Sequence, residues 1–415
     1  MRHPENGPTL VSMTSELQRL VESIGDRLER SVAIDDRRIR LLAYNSYAGD
    51  VDSVRVESIM RREVPRELVK YLSRLGIFEE KELFTVPTKP ELGVTVERIG
   101  MRVRCEGSLL GFIWLLGSDG PVAADEVDVL RQGAERAAFI LQRDHLLNEL
   151  RRARVRDLLR DLLSDDPRVH ADAAAGLIED ELLVDGSVTS LVVTIPHEPG
   201  QRLGEKERLA LTMGLEQSCG RAPPRTAVHV ERVDHGVVVV THPAKQASPE
   251  IDDLARTVHQ RVAAAIGCSP SECYVGIGRC GSALVDACSS YAEARRATEV
   301  ARVVGTLGTV IRFSHLGVYG LLVELPADRA RRSIHPGLRR LFEHDGEALL
   351  INTLEVFLTN AGDIRRTAAD LNLHRTSVHY RLRRIEQIAA ISLASGDDRL
   401  ALHLGLKVAR LTKLI

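Results

Sequence analysis

The sequence predicts a multidomain α+β protein, in which an amino-terminal α/β unit, a long helix, a ferredoxin-like sheet domain and an all-α carboxy-terminal domain follow one another. Three observations carry this. At about 150 residues per domain, 415 residues imply two or three separate cores. Strand-like apolar runs recur as far as residue 313 and then cease, so that everything after Pro326 has helical spacing. Hydrophobic residues at 44% and charged residues at 27% describe an ordinary folded chain rather than a disordered one. The expected segments are a polar stretch (1–26), the α/β unit (27–122), the long linker or dimer helix (123–165), the sheet domain (166–325) and the helical domain (326–415).

Residues 1–26 are polar apart from an amphipathic piece over 14–24. Apolar runs at 39–44, 94–99, 101–105 and 109–116 read as strands, and helical spacing covers 53–60 and 66–75. Glu106-Gly107-Ser108 joins the last two strands as a hairpin, and 117–121 (GSDGP) is a stop. Trp114, the only tryptophan, alternates with Phe112 onto one sheet face, where it either packs a core or contacts a ligand. Cys105 is a weaker candidate, as a thiol sensor.

From 125 to 163 the pattern is continuously helical. One apolar seam runs through Val127, Leu130, Ala134, Ala137 and Leu141, and a second through Leu147, Leu150, Val155, Leu158 and Leu162. Two readings stand: a helix packing on its own domain, or a dimer helix that carries a signal between domains.

Between 186 and 325, strands at 187–195, 227–233, 236–241, 273–278 and 309–313 alternate with helices at 205–218, 251–266 and 284–304. The order β-α-β-β-α-β, with a tight Asp234-His235-Gly236 turn, is a ferredoxin-like or nucleotide-cyclase-like plan.

The carboxy-terminal pattern is the most specific. A helix over 347–359 breaks at Asn360-Ala361-Gly362, and Asp363 is a good N-cap for a short helix over 364–371. There Ala368 is small enough for a close helix crossing. After the connector Asn372-Leu373-His374, a helix over 375–389 turns Val378, Leu382, Ile385 and Ala389 inward. Its opposite side carries Thr376, Tyr380, Arg383 and Gln387, flanked by Ser377, His379 and Arg384. Two helices joined by a three-residue turn, the second basic, form the helix-turn-helix that reads a DNA major groove. Thr376, Ser377, His379, Tyr380 and Arg383 are the candidate base readers, and Arg375, Arg381 and Arg384 the candidate phosphate contacts. The charge agrees once it is located. The chain as a whole is −2, but 361–415 is +5 and 1–360 is −7.

The run 349–388 (LLINTLEVFLTNAGDIRRTAADLNLHRTSVHYRLRRIEQI) resembles the carboxy-terminal helix-turn-helix of PucR/CdaR-type transcriptional regulators. The resemblance rests on Thr353-Leu354, Thr367-Ala368, Leu371, His374-Arg375 and Tyr380-Arg381-Leu382. Where that family has Asn-Thr, this chain has Thr376-Ser377, which bears on the operator sequence. Segment 272–325, with Gly276-Ile277-Gly278-Arg279 and 290–297 (SYAEARRA), is similar to the degenerate GGDEF-like domain that precedes this motif. Segment 27–145 resembles a GAF-like sensor domain. The resemblance implies a homodimeric or higher-order regulator that binds double-stranded DNA and an unknown small-molecule effector.

Enzymatic readings fare worse. A diguanylate cyclase needs paired glycines and adjacent acids at the hairpin to hold nucleotide and metal. Here 231–237 (ERVDHGV) offers Asp234 alone, so no catalytic residue is expected. Gly276 and Gly278 lack the third glycine of a dinucleotide loop and fit close backbone packing instead. His229, His235 and His242 read as exposed hairpin histidines rather than metal ligands, and the six cysteines, without a CxxC pair, as reduced structural thiols. No metal or cofactor is expected. The lack of an 18-residue apolar stretch or leader predicts a cytoplasmic protein with no membrane partner. The alternative function is a signalling enzyme or nucleotide receptor built on the cyclase-like domain, and a third reading is a protein-interaction module.

Overall fold

The structure, a computed structural model, describes residues 8–45, 65–79, 82–116, 122–196, 202–242, 249–305, 307–344 and 348–415. The chain divides into two compact units, Met1–Arg154 and Val155–Ile415.

In the first unit, helix α1 (Pro8–Leu28) precedes strands β1 (Val32–Asp36) and β2 (Leu41–Tyr44). Helix α2 (Arg66–Arg74), strands β3 (Leu83–Val86), β4 (Arg98–Cys105) and β5 (Ser108–Leu116), and the long helix α3 (Ala124–Leu162) follow. The strands form one antiparallel sheet in the order β2-β1-β5-β4-β3. Strand β5 is central and buried throughout 111–116 because both faces are covered. Ile113 and Leu115 meet Leu17 and Ile24 of α1 and Leu130 and Ala137 of α3. Phe112 and Trp114 point to the other face, among Leu68 and Leu72 of α2, Ile77 and Val86. The β4–β5 turn places Glu106 at φ 48° and Gly107 at φ 81°, the double positive φ of a two-residue hairpin.

Several expectations are corrected. The runs 94–99 and 101–105 are not two strands. Val94 closes a small loop with Lys89 through paired backbone hydrogen bonds of 2.7 and 3.2 Å, and a single strand starts at Arg98. Gly100 breaks the apolar alternation but stays in register between Phe84 and Trp114. Strands β1 and β3 went unread, and the amphipathic piece near the amino terminus belongs to α1, whose Leu17, Leu20, Val21 and Ile24 enter the sheet's core. The helix expected at 53–60 and the stop at 117–121 lie outside the described residues.

Helix α3 matches the expected span to within a residue at each end. Its first seam packs on its own unit, with Leu130, Ala134 and Ala137 buried, whereas Leu147 and Leu150 of the second are exposed. From Val155 onward it belongs to the second unit, where Leu158, Leu159 and Leu162 are buried.

The second unit continues with α4 (His170–Glu179), β6 (Ser187–Thr194), α5 (Glu205–Cys219), β7 (Ala227–Glu231), β8 (Gly236–His242), α6 (Pro249–Ile266), β9 (Tyr274–Ile277), α7 (Ala287–Val304) and β10 (Val310–Arg312). The sheet order is β10-β9-β6-β8-β7. Strands β9-β6-β8-β7 are mutually antiparallel, which is the ferredoxin-like arrangement, and β10 adds in parallel beside β9. Helix α7 lies against β6 and β9. The glycines of β9 and its end permit this approach: a Cβ on Gly276 would stand 2.0 Å from the Ala294 carbonyl oxygen, and one on Gly278 2.0 Å from that of Ser290.

Among the described residues, seven α-helices follow: α8 (Val318–Leu322), α9 (Ala327–Arg332), α10 (Pro336–His344), α11 (Leu349–Thr359), α12 (Ile364–Asp370), α13 (Arg375–Ala389) and α14 (Gly396–Leu411). Their shared core includes Leu338, Leu341, Leu354, Val378, Ile385, Leu402 and Leu406, all fully buried.

Candidate nucleic-acid interface

Helices α12 and α13 are shaped by their caps. The Asp363 carboxylate accepts from the backbone N–H groups of Arg365 (2.7 Å) and Arg366 (3.1 Å), and these bonds hold its carboxyl below the usual range. Ala368 is buried in the helical core, as a close crossing requires. Helix α12 then stops: Asn372 takes φ 52°, and the Leu373 N–H donates back to the Ala368 carbonyl at 2.9 Å. His374 caps the next helix. Its Nδ1 accepts from the Thr376 hydroxyl at 2.9 Å and, at 3.4 Å, from the Thr376 backbone N–H. Sequence reasoning placed His374 in the connector and missed this cap, because histidine is an uncommon N-cap residue.

Along α13, Val378, Leu382, Ile385 and Ala389 are buried as the periodicity predicts. Arg375, Thr376, His379, Tyr380, Arg383 and Arg384 are exposed, Tyr380 at 73%, while Ser377 and Arg381 are half-buried. The exposed residues thus form a continuous polar, aromatic and basic face. Arg381 departs from the rest of the candidate set, since its Nη1 donates to the hydroxyl of buried Thr353 in α11 at 3.1 Å. Arg365 and Arg366, exposed at the start of α12, extend the basic surface and were not singled out from sequence; their signal is the doublet directly after a cap residue.

The far end of α13 is also held. Arg340 of α10 donates to the carbonyls of Ile388 (3.2 Å) and Ala389 (2.6 Å). Glu386, the only acid of the helix, accepts from the Leu393 backbone N–H at 2.7 Å and so serves the following turn. On the other side, Glu355 of α11 pairs with Arg410 of α14.

The hairpin of the sheet domain corrects another expectation. His235 and His242 are buried, not exposed. The His235 ring stacks on Tyr291 with centroids 5.8 Å apart, its Nδ1 lies 2.6 Å from the Asp234 carboxylate and its Nε2 lies 2.9 Å from the Tyr291 hydroxyl. Burial drives the His235 pKa below its ordinary value despite Asp234, so the ring is neutral and Nδ1 donates to the carboxylate. His242 faces Thr189 and Cys280 instead. Burial pushes the thiols of Cys219 and Cys273 up to about 12, so both are protonated and unreactive at neutral pH.

Residues 350–408 match the PucR C-terminal helix-turn-helix domain, and residues 180–300 match the GGDEF-like domain. The chain is 21% identical to the proline-responsive transcriptional activator PutR of Bacillus subtilis (strain 168), over 95% of this chain and 97% of that one. It is 21% identical to the DNA-binding transcriptional activator AdeR of the same organism, over 94% of this chain and 92% of that one. With the carbohydrate diacid regulator of Escherichia coli (strain K12) it shares 24% identity, over 75% and 79% of the two chains. A basic helix presented by a two-helix turn, in a chain aligned end to end with such proteins, defines a DNA-binding transcriptional regulator. Its carboxy-terminal domain is of the PucR helix-turn-helix type and its sheet domain is GGDEF-like. Among the described residues, no helix is long and apolar enough to cross a membrane.

Proposed function

We propose that α13 enters the major groove and reads bases through Thr376, Ser377, His379, Tyr380 and Arg383, while Arg375 and Arg384, joined by Arg365 and Arg366, grip flanking phosphates. Arg381 serves mainly to hold α13 against α11. The supporting observation is the exposed face of α13, which carries donors, acceptors and positive charge and no uncommitted acid. The test is footprinting on DNA upstream of the protein's own gene and neighbouring operons. Wild-type protein should protect a discrete site, and Arg383→Ala should weaken that site about tenfold or more, in line with ~1–3 kcal/mol per base contact. Absence of protection at moderate salt by the wild type would refute the reading.

The chain acts in the cytoplasm as a homodimer, without catalysis of its own. Segment 27–122 is the sensor domain, 123–165 the dimer helix, 166–325 a catalytically silent relay and 326–415 the reader. Support for the dimer is the apolar set Phe139, Leu146, Leu147 and Leu150 on α3, exposed at 69, 53, 46 and 68%. A small-molecule effector binds over the sheet face that carries Phe84, Phe112 and Trp114. The Trp114 indole Nε1 is buried there without a hydrogen-bond partner among the described residues, a donor that a bound acceptor would satisfy. The name of PutR, a proline-responsive activator, fits a small metabolite in this role.

A further inference from the structure

The hairpin between β7 and β8 borders a cleft of about 270 Å³ whose lining carries five arginines, Arg156, Arg160, Arg202, Arg208 and Arg232, against one acid, Glu231. All lie within the second unit. Two of the five are already committed. Arg208 donates through Nε to Glu231 at 2.6 Å, and Arg160 pairs with Asp157 at 3.2 Å. Glu231 is also engaged by the Thr212 hydroxyl, and its single charge is shared with Arg208. Arg156 and Arg202 are exposed, and among the described residues neither has an ion-pair partner. Arg232 is the least expected of the set. It is half-buried, and its Nε and Nη2 are shielded from solvent with no hydrogen-bond partner among the described residues. A guanidinium so placed lacks the acceptors that normally accompany buried charge.

We propose that this cleft binds a small molecule bearing two or more adjoining phosphate groups. Guanidinium forks match phosphate oxygens in pairs, and several arginines lining one concave surface suit a compact, multiply charged anion better than a single carboxylate. No aromatic side chain is among the described lining residues, which are otherwise Leu203, Val230 and Val233. Recognition therefore rests on the phosphates and not on stacking of a base. The site is separate from the aromatic sheet face of the first unit and does not depend on the effector assigned there.

The test is titration calorimetry of the full chain with inorganic pyrophosphate, with sulfate as the singly tetrahedral control. Pyrophosphate should bind at one site per chain and at least tenfold more tightly than sulfate. The double variant Arg156→Gln/Arg202→Gln, whose changes are exposed and spare the fold, should weaken pyrophosphate at least tenfold and leave affinity for DNA unchanged. Arg383→Gln, on the reading helix, should leave pyrophosphate binding unchanged. No binding of pyrophosphate, equal binding by the double variant, or loss in Arg383→Gln instead would each overturn the proposal. So would a parallel loss of DNA affinity in the double variant, which would make the cleft part of a DNA track.

Discussion

The Arg381 guanidinium donates to the Thr353 hydroxyl at 3.1 Å, and that hydroxyl in turn donates to the Leu349 carbonyl at 2.7 Å. A side chain on α13 is thereby fixed to α11 behind it. Arg381→Met should therefore cost about 1–2 kcal/mol of stability, read by urea denaturation, and leave the salt dependence of DNA binding nearly unchanged.

Arg384→Gln should behave in the opposite way. Its side chain is exposed, so the denaturation midpoint should stay within error while the slope of log affinity against log salt falls by about one. An unchanged slope would remove Arg384 from the phosphate contacts.

His235 should make the second unit sensitive to mild acid. Burial lowers its folded pKa below the ordinary 6.5, so the unfolded chain binds the extra proton first. Stability is complete above about pH 6.5 and is lost as the pH falls through that value toward the folded pKa, at up to about 1.4 kcal/mol per pH unit. Asp234 acts in a lower window. Burial opposes its ionisation most strongly, but the His235 hydrogen bond, nearby positive charge including Arg295 and a backbone hydrogen bond together outweigh it and hold its pKa below 3.8, so its contribution is lost only as the pH falls below that value. Denaturation midpoints of wild type and His235→Gln at pH 7.5 and 5.5 should differ in their decline, with the variant flatter.

Gly276→Ala should destabilise the sheet domain by about 3 kcal/mol, because the new methyl meets the Ala294 carbonyl and helix α7 must lift from β9. A thermal scan that shows no shift would mean α7 is free to move.

Leu146→Glu/Leu150→Glu should convert the proposed dimer to monomer in light scattering, with the circular dichroism signal retained since both side chains are exposed in the single chain.

What could be read from sequence divides along the range of the interactions. The inward stripe Val378, Leu382, Ile385 and Ala389 depends on helical period alone, and both it and the flanking turn were legible. So was the β4–β5 turn, which depends on two residues. Strand β1 was not: its five residues end in Asp35 and Asp36, and only the flanking strands β2 and β5 make that run a central strand. His235 reads as a surface residue from sequence because its burial is decided by Tyr291, 56 positions away. Arg381 looked like its neighbours on a helical wheel, and its partner lies 28 positions upstream.

The two fastenings of α13, His374 at its start and Arg340 at its last carbonyls, bear on how discrimination among operators arises. With both ends of α13 fastened, the proposed reading surface surrenders its conformational entropy when the protein folds and not when DNA arrives. Differences in affinity between sites then report on base edges and on the ease with which each duplex deforms, rather than on how readily the protein orders itself.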